Sequence, residues 1–182
     1  ETDWKLSSLG TPWMVGETLS AGIGQGYFLA TSAQLSLALA QLTNGGKKLS
    51  PSIFYNNLSK KNEHPETVIA DPKYLKIIQR GLDEATNDLG GTSYYSRIRG
   101  KYEFGGKTGT SQVRVISSEE REEGLIKNED LPWEKRDHGL FIGYGPISKP
   151  QYSVSVIVEH GGSGSGTAAP IASDVFLSLI HI

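Results

Sequence analysis

A chain of 182 residues has room for one domain with a sizeable core, and its 37% hydrophobic and 21% charged content is that of a globular protein. A formal net charge of -2 gives no electrostatic case for nucleic-acid binding, and the lack of cysteine excludes disulfides and thiolate metal sites. No apolar run approaches the roughly 18 residues of a membrane span, and no signal-peptide pattern opens the chain.

Residues 1–30 are rich in Gly, Thr and Ser and read as irregular structure with short extended pieces. Thr31-x-x-Gln34 is a capping box, and Leu35, Ala38, Leu39 and Leu42 fall on one helical face. Asn44-Gly45-Gly46 stops that helix with residues that tolerate positive φ. Pro51 to Glu66 reads as a polar surface loop with an extended piece at Ile53-Phe54-Tyr55. Asp71-Pro72 then opens a second helix, with Asp as N-cap and Pro at the first helical position. Its expected core stripe is Leu75, Ile78, Leu82 and Ala85, and Gly90-Gly91 ends it.

Tyr102 to Val113 reads as a strand. Ser117 to Lys135 is a charge-rich excursion, read as a solvated, mobile loop or, more sharply, as a partner-binding or substrate-guiding loop. Leu140–Tyr144 and Tyr152–Val158 give two more strands, joined through Gly145-Pro146 and Lys149-Pro150 as a hairpin. Gly161 to Gly166 is too short and too closely flanked to be a linker, and reads as a strand-to-helix connection. From Ala168 to Leu179, apolar residues at 168, 172, 175, 176 and 179 mark a helix able to lie across a sheet. The whole pattern is α+β, an antiparallel sheet covered by helices.

The chemistry concentrates at Lys107-Thr108-Gly109-Thr110: a cation, two hydroxyls and one residue without a side chain. On a strand Thr108 and Thr110 share a face and Lys107 leaves on the other, while Gly109 lets a ligand or a neighbouring backbone come close. Such a segment can grip a carboxylate and present a backbone N–H to a reacting carbonyl. Alone, it reads first as an exposed lysine before a Thr-Gly turn. Gln25, between Gly24 and Gly26, is either an amide side chain brought to a cleft or part of a Gly-rich turn. Asp137-His138 reads as a structural hydrogen-bond pair. His64, His160 and His181 share no metal-ligand spacing with it, so neither a metal nor a cofactor is expected. Trp4, Trp13 and Trp133 are read as packing residues.

Gly16 to Tyr27, Lys107-Thr108-Gly109-Thr110, Arg136-Asp137-His138, Glu159-His160-Gly161-Gly162 and Ala168-Ala169-Pro170 stand in this order over nearly the whole chain. That order resembles the C-terminal part of the transpeptidase domain of class B penicillin-binding proteins, the elongation-type penicillin-binding protein 2 branch in particular. The resemblance implies a penicillin-binding, serine β-lactamase-like fold, with residues 1–182 as the C-terminal part of one transpeptidase domain. It implies a serine-type D-Ala-D-Ala transpeptidase that cross-links peptidoglycan stem peptides and binds β-lactams. Lys107 and Thr110 would be catalytic, Thr110 through its backbone N–H. Thr108, Gly109, Thr110 and Gln25 would bind substrate. A membrane peptidoglycan polymerase would be a partner, at the periplasmic face of the inner membrane with the anchor outside this chain.

One departure matters. No Ser in the chain is followed three positions later by Lys, and no Ser-x-Asn occurs. Tyr55-Asn56-Asn57 has a similar form but lies on the wrong side of the Gln-containing motif, and reads as coincidence. The chain is therefore expected to lack the nucleophile and general base and to be inactive alone. The alternative is a non-catalytic truncated or split module, serving as a scaffold or pairing with a separate N-terminal piece.

Overall fold

A computed structural model describes residues 2–53, 66–69, 71–114 and 116–180. The proposed extended piece at 53–55, apart from Ile53, lies outside them, as do Tyr55-Asn56-Asn57, His64 and His181. The chain divides into two compact units, Glu1–Thr31 and Ser32–Ile182.

The first unit corrects the expectation of irregular structure. It holds two short helices, α1 (Thr2–Leu9) and α2 (Val15–Gly22). The Gly and Ser content hid them because side-chain contacts, rather than helix propensity, hold these eight-residue segments. Lys5 is buried, its ammonium paired with the Glu17 carboxylate and donating to the Pro12 carbonyl at 2.9 Å. Glu17 also accepts the Met14 N–H at 2.6 Å, closing the first turn of α2. The hydrogen bond from Lys5 holds the Glu17 carboxyl below its usual range. Trp4 and Trp13 pack on Tyr27 at ring separations of 5.8 and 6.3 Å, so the packing role expected of these tryptophans holds.

The second unit is a three-stranded antiparallel sheet between helices. Its strands are β1 (Gly105–Ser111), β2 (His138–Gly145) and β3 (Tyr152–Val158), in the order β1-β2-β3. Gly105 pairs with Tyr144 and Ser111 with His138, while Gly139 pairs with Val158 and Gly145 with Tyr152. β1 is shorter than the expected Tyr102–Val113.

On one face, α3 (Ser32–Thr43) and α4 (Pro72–Asn87) bury Leu39 and Leu82 with Tyr144. On the other, a π-helical turn (Gly164–Ala168) and α6 (Ala169–Ile180) bury Ala168, Ala169, Ala172 and Phe176 with Phe104 and Phe141. Each such aromatic contributes about 1.5–3 kcal/mol on burial. Asp71 caps α4 as expected, accepting from the Lys73 N–H at 2.8 Å. The stripes needed correction: Ile78 and Val175 are each 38% exposed and Ala38 is also exposed. Thr86, a polar residue, takes a fully buried position on α4, where its hydroxyl meets that of Ser93 at 3.1 Å.

The charged excursion is more ordered than expected. It contains α5 (Ser118–Glu123) and two 3-10 turns at Asn128–Asp130 and Trp133–Lys135. Arg114 grips Glu120 through both guanidinium nitrogens at 2.5 Å, and Glu120 also accepts the Ile126 N–H at 3.2 Å. The Arg114 hydrogen bonds, foremost, bring the Glu120 carboxyl down to about 2.

Candidate active site

β1 lies at the edge of the sheet and carries Lys107, Thr108, Gly109 and Thr110. Two glycines let it pack there. A Cβ on Gly106 would stand 2.3 Å from the Phe141 ring, and one on Gly105 would press on α4 at Leu82–Asp83. These neighbours also assign the faces. Lys107, two residues after Gly105, leaves on the α4 side, and Thr108 and Thr110 share the face of Gly106. Asn87 of α4 ties the strand's entry down, its amide donating to the Phe104 carbonyl at 3.1 Å and to Asp83 at 2.8 Å.

The Lys107 ammonium curls to the strand edge and donates to the Thr108 carbonyl at 2.8 Å and the Thr108 hydroxyl at 3.3 Å. A carbonyl reached in this way points away from β2. In an extended strand the N–H and C=O of one residue point to the same side, and alternate residues share it. Thr110 therefore presents its N–H to the same open edge. Its side chain is exposed. A cation, an outward-facing backbone donor and hydroxyls thus lie along one strand edge.

The Gly-rich bend is indeed a strand-to-helix connection, and it supports this strand from one side. A Cβ on Gly164 would stand 2.2 Å from the Leu140 carbonyl oxygen and 2.5 Å from that of Gly109. On Gly139, the partner of Thr110, it would meet the Thr167 hydroxyl at 2.4 Å. The close backbone neighbour of Gly109 is thus Gly164.

Asp137 joins the same end of the sheet. Its carboxylate accepts from Val113 N–H at 3.3 Å and Asn128 amide at 3.1 Å, and its carbonyl from Gly162 N–H at 2.8 Å. His138 Nδ1 accepts the His160 N–H at 2.9 Å, and His160 holds a left-handed φ of 55° at the turn. These residues brace the bend; Asp137 and His138 are structural, as expected, but each bonds elsewhere, Asp137 to Val113 and Asn128 and His138 to His160. Among the described residues, no three metal-ligating side chains gather.

Gln25 belongs to the first unit. Gly24 and Gly26 on either side have φ of 75° and 85°, and the Gln25 N–H donates to the Ser20 carbonyl at 2.9 Å.

The family model for the penicillin binding protein transpeptidase domain matches residues 4–177. The chain belongs to this family. Within the penicillin binding protein transpeptidases, it is 33% identical over 176 residues to peptidoglycan D,D-transpeptidase MrdA of Salmonella typhimurium, covering 92% of this chain and 28% of that protein. It is 37% identical over 183 residues to the Acinetobacter baumannii MrdA, covering 96% and 26% respectively. The chain thus spans little more than a quarter of the length of these curated relatives.

Solved structures agree on the fold. The PBP2 of Pseudomonas aeruginosa in complex with WCK 5153 superposes with a TM-score of 0.79 at 31% identity, over 98% of this chain and 37% of that one. The complex of PBP2 and MreC from Helicobacter pylori also gives 0.79, at 28% identity, over 100% of this chain and 31% of that one.

Two contributions to the site were missed in the sequence. Thr92, whose hydroxyl accepts from that of Thr108 at 3.0 Å, had as its only signal its place directly after the helix-ending Gly90-Gly91. Gly164 lay within the bend, but nothing in the spacing said which of its glycines touches the strand.

Proposed function

We propose that this chain is the substrate-gripping, C-terminal part of the transpeptidase domain of a peptidoglycan D,D-transpeptidase. The observation that carries the reading is the Lys107 ammonium on the Thr108 carbonyl at the outer edge of β1, from which the strand repeat turns the Thr110 N–H to the same side. A serine from the part of the domain outside this chain attacks the D-Ala-D-Ala peptide carbonyl. The developing oxyanion is received by the Thr110 N–H and the N–H of the nucleophile itself. Each such donor is worth about 3 kcal/mol. Lys107 supplies positive charge and favours proton transfer, while the hydroxyls of Thr108 and Thr110 hold the terminal carboxylate beside Gly109. Terminal D-Ala departs with the proton, and the acyl group passes to an amine of a neighbouring stem peptide. A β-lactam acylates the same serine. Gln25 borders the substrate groove in this reading.

The MrdA relatives and the PBP2 neighbours support assignment to the PBP2 type; the elongation role, a membrane polymerase as partner and action at the periplasmic face of the inner membrane belong to the proposal. No helix among the described residues is long and apolar enough to cross a membrane.

The test is the second-order β-lactam acylation rate of the transpeptidase containing this segment, with melting temperatures checked. Thr110→Ala keeps the backbone donor but loses a hydrogen bond to a charged group, about 1.5–3 kcal/mol, and slows acylation by roughly one to two powers of ten. Thr110→Pro removes the N–H itself and falls much further. Lys107→Ala costs more than Thr110→Ala. Folded Lys107→Ala that acylates as fast as the parent overturns the assignment. The 182-residue chain alone should take no covalent label from a fluorescent penicillin. The absence of Ser-x-x-Lys also favours a second reading, a split non-catalytic module, which a stop codon in frame immediately before Glu1 would support.

A further inference from the structure

Thr108 has one hydroxyl proton, and its partner is not on the strand. It is donated to the hydroxyl oxygen of Thr92 at 3.0 Å, while the Thr108 oxygen sits 3.3 Å from the Lys107 ammonium. The chain around Thr92 is fixed from both sides. Before it, Gly91 lies so close to the end of α4 that a Cβ would stand 2.5 Å from the Ala85 carbonyl oxygen. After it, buried Ser93 donates to that same carbonyl through both its N–H and its hydroxyl, each at 3.0 Å. The Thr86 hydroxyl completes the arrangement at 3.1 Å from that of Ser93. The helix end is therefore folded back so that one hydroxyl is delivered beside the Lys-Thr-Gly-Thr strand.

We infer that Thr92 is a positioning residue for the carboxylate-binding edge, holding the Thr108 hydroxyl in one orientation beside Lys107 before substrate arrives. A threonine hydroxyl free to rotate spreads its donor over several directions. One held by a fixed acceptor keeps its oxygen in place, and the Lys107 ammonium bridges to the same residue. On binding, the Thr108 proton turns to the carboxylate while the Thr92 hydroxyl donates in its turn to the Thr108 oxygen, so the anion meets an ordered cation and a hydroxyl already in place, and less ordering is required. Thr92 acts through Thr108 and not on the substrate. This inference rests on the proposed function, and its test separates the two.

The transpeptidase containing this segment is acylated by a penicillin bearing its free carboxylate and, separately, by the methyl ester of the same penicillin. Thr92→Val should slow the carboxylate reaction about threefold to tenfold, the range for one neutral hydrogen bond. It should leave the ester rate nearly unchanged, because the ester has no anion for that edge to hold. Thr92→Ser should restore the carboxylate rate, and Thr92→Val with Thr108→Val together should be no slower than Thr108→Val alone. An equal loss with both ligands would mean a merely structural role and would overturn the inference, as would a Thr92→Val rate equal to the parent's. Lys107→Ala, run in parallel, keeps the outcomes distinct. If it is inert while Thr92→Val matches the parent, only the positioning role falls. If folded Lys107→Ala reacts at the parent rate, the site assignment falls with it.

Discussion

Gly164→Ala is the sharpest test of how β1 is held. The added Cβ would lie 2.2 Å from the Leu140 carbonyl oxygen, 2.5 Å from the Gly109 oxygen and 2.9 Å from the Gly109 nitrogen. An ordinary carbon–oxygen contact is about 3.3 Å or more, so the bend or the strand must move by about 1 Å. Neither has a flexible side chain to yield, since every one of these neighbours is backbone in the β1–β2 ladder. Gly164 is not one of the left-handed glycines, so the clash alone sets the cost. Overpacking costs typically 1–3 kcal/mol, and contact with hydrogen-bonded backbone places this case near 3 kcal/mol. For a chain of this size that lowers the melting temperature by about 6–12 °C. Gly81→Ala is the internal control. It lies within α4 with open space around its Cβ position, and should stabilise by about 0.5–1 kcal/mol. Thermal melts of both variants against the parent decide the matter. Gly164→Ala melting within about 1 °C of the parent would refute the seating of the bend on the Gly109 backbone.

The Arg114–Glu120 pair should fasten the excursion in a pH-dependent way. The Arg114 hydrogen bonds hold the folded Glu120 carboxyl down at about 2, below its ordinary 4.5, so the stabilisation is fully present above 4.5 and is lost as pH falls through about 2. Amide hydrogen exchange over residues 117–127 should rise across that window, and Glu120→Gln should show the faster exchange already at neutral pH. Unchanged exchange in the variant would contradict the role given to the pair. Thr86→Val removes one buried hydroxyl at nearly constant volume while Ser93 keeps its bond to the Ala85 carbonyl. It should cost about 1 kcal/mol, read as a melting temperature lower by roughly 2–4 °C.

Where local chemistry decides a boundary, the sequence alone was enough to read it. Asp71-Pro72 opens α4 because an extended carboxylate cap and a proline suit the first turn, and β3 runs over the expected Tyr152–Val158. It failed where distant side chains do the holding. The helices of the first unit rest on Lys5 meeting Glu17 across 12 positions, a contact that no local periodicity announces. Thr86 broke the apolar rule on α4 because Ser93, beyond the helix end, satisfies its hydroxyl. The excursion's charges read as solvated until Arg114, outside the acidic run, was seen to grip Glu120 with both nitrogens.

The candidate site divides in the same way. Alternation along a strand was enough to separate Lys107 from Thr108 and Thr110, because a period of two needs only the sequence. What it cannot supply is which edge of that strand is open, since openness depends on the strand's neighbours. β1 pairs with β2 along its whole length, and the Lys107 ammonium on the Thr108 carbonyl marks the opposite side. That single contact turns a residue pattern into a directional one: once the Thr108 carbonyl faces outward, the two-residue repeat makes the Thr110 N–H face outward too. The donor proposed for the oxyanion is therefore set by sheet order rather than by any side chain. A threonine-to-alanine change at position 110 and a threonine-to-proline change there consequently probe different things, one a hydroxyl and the other the edge itself.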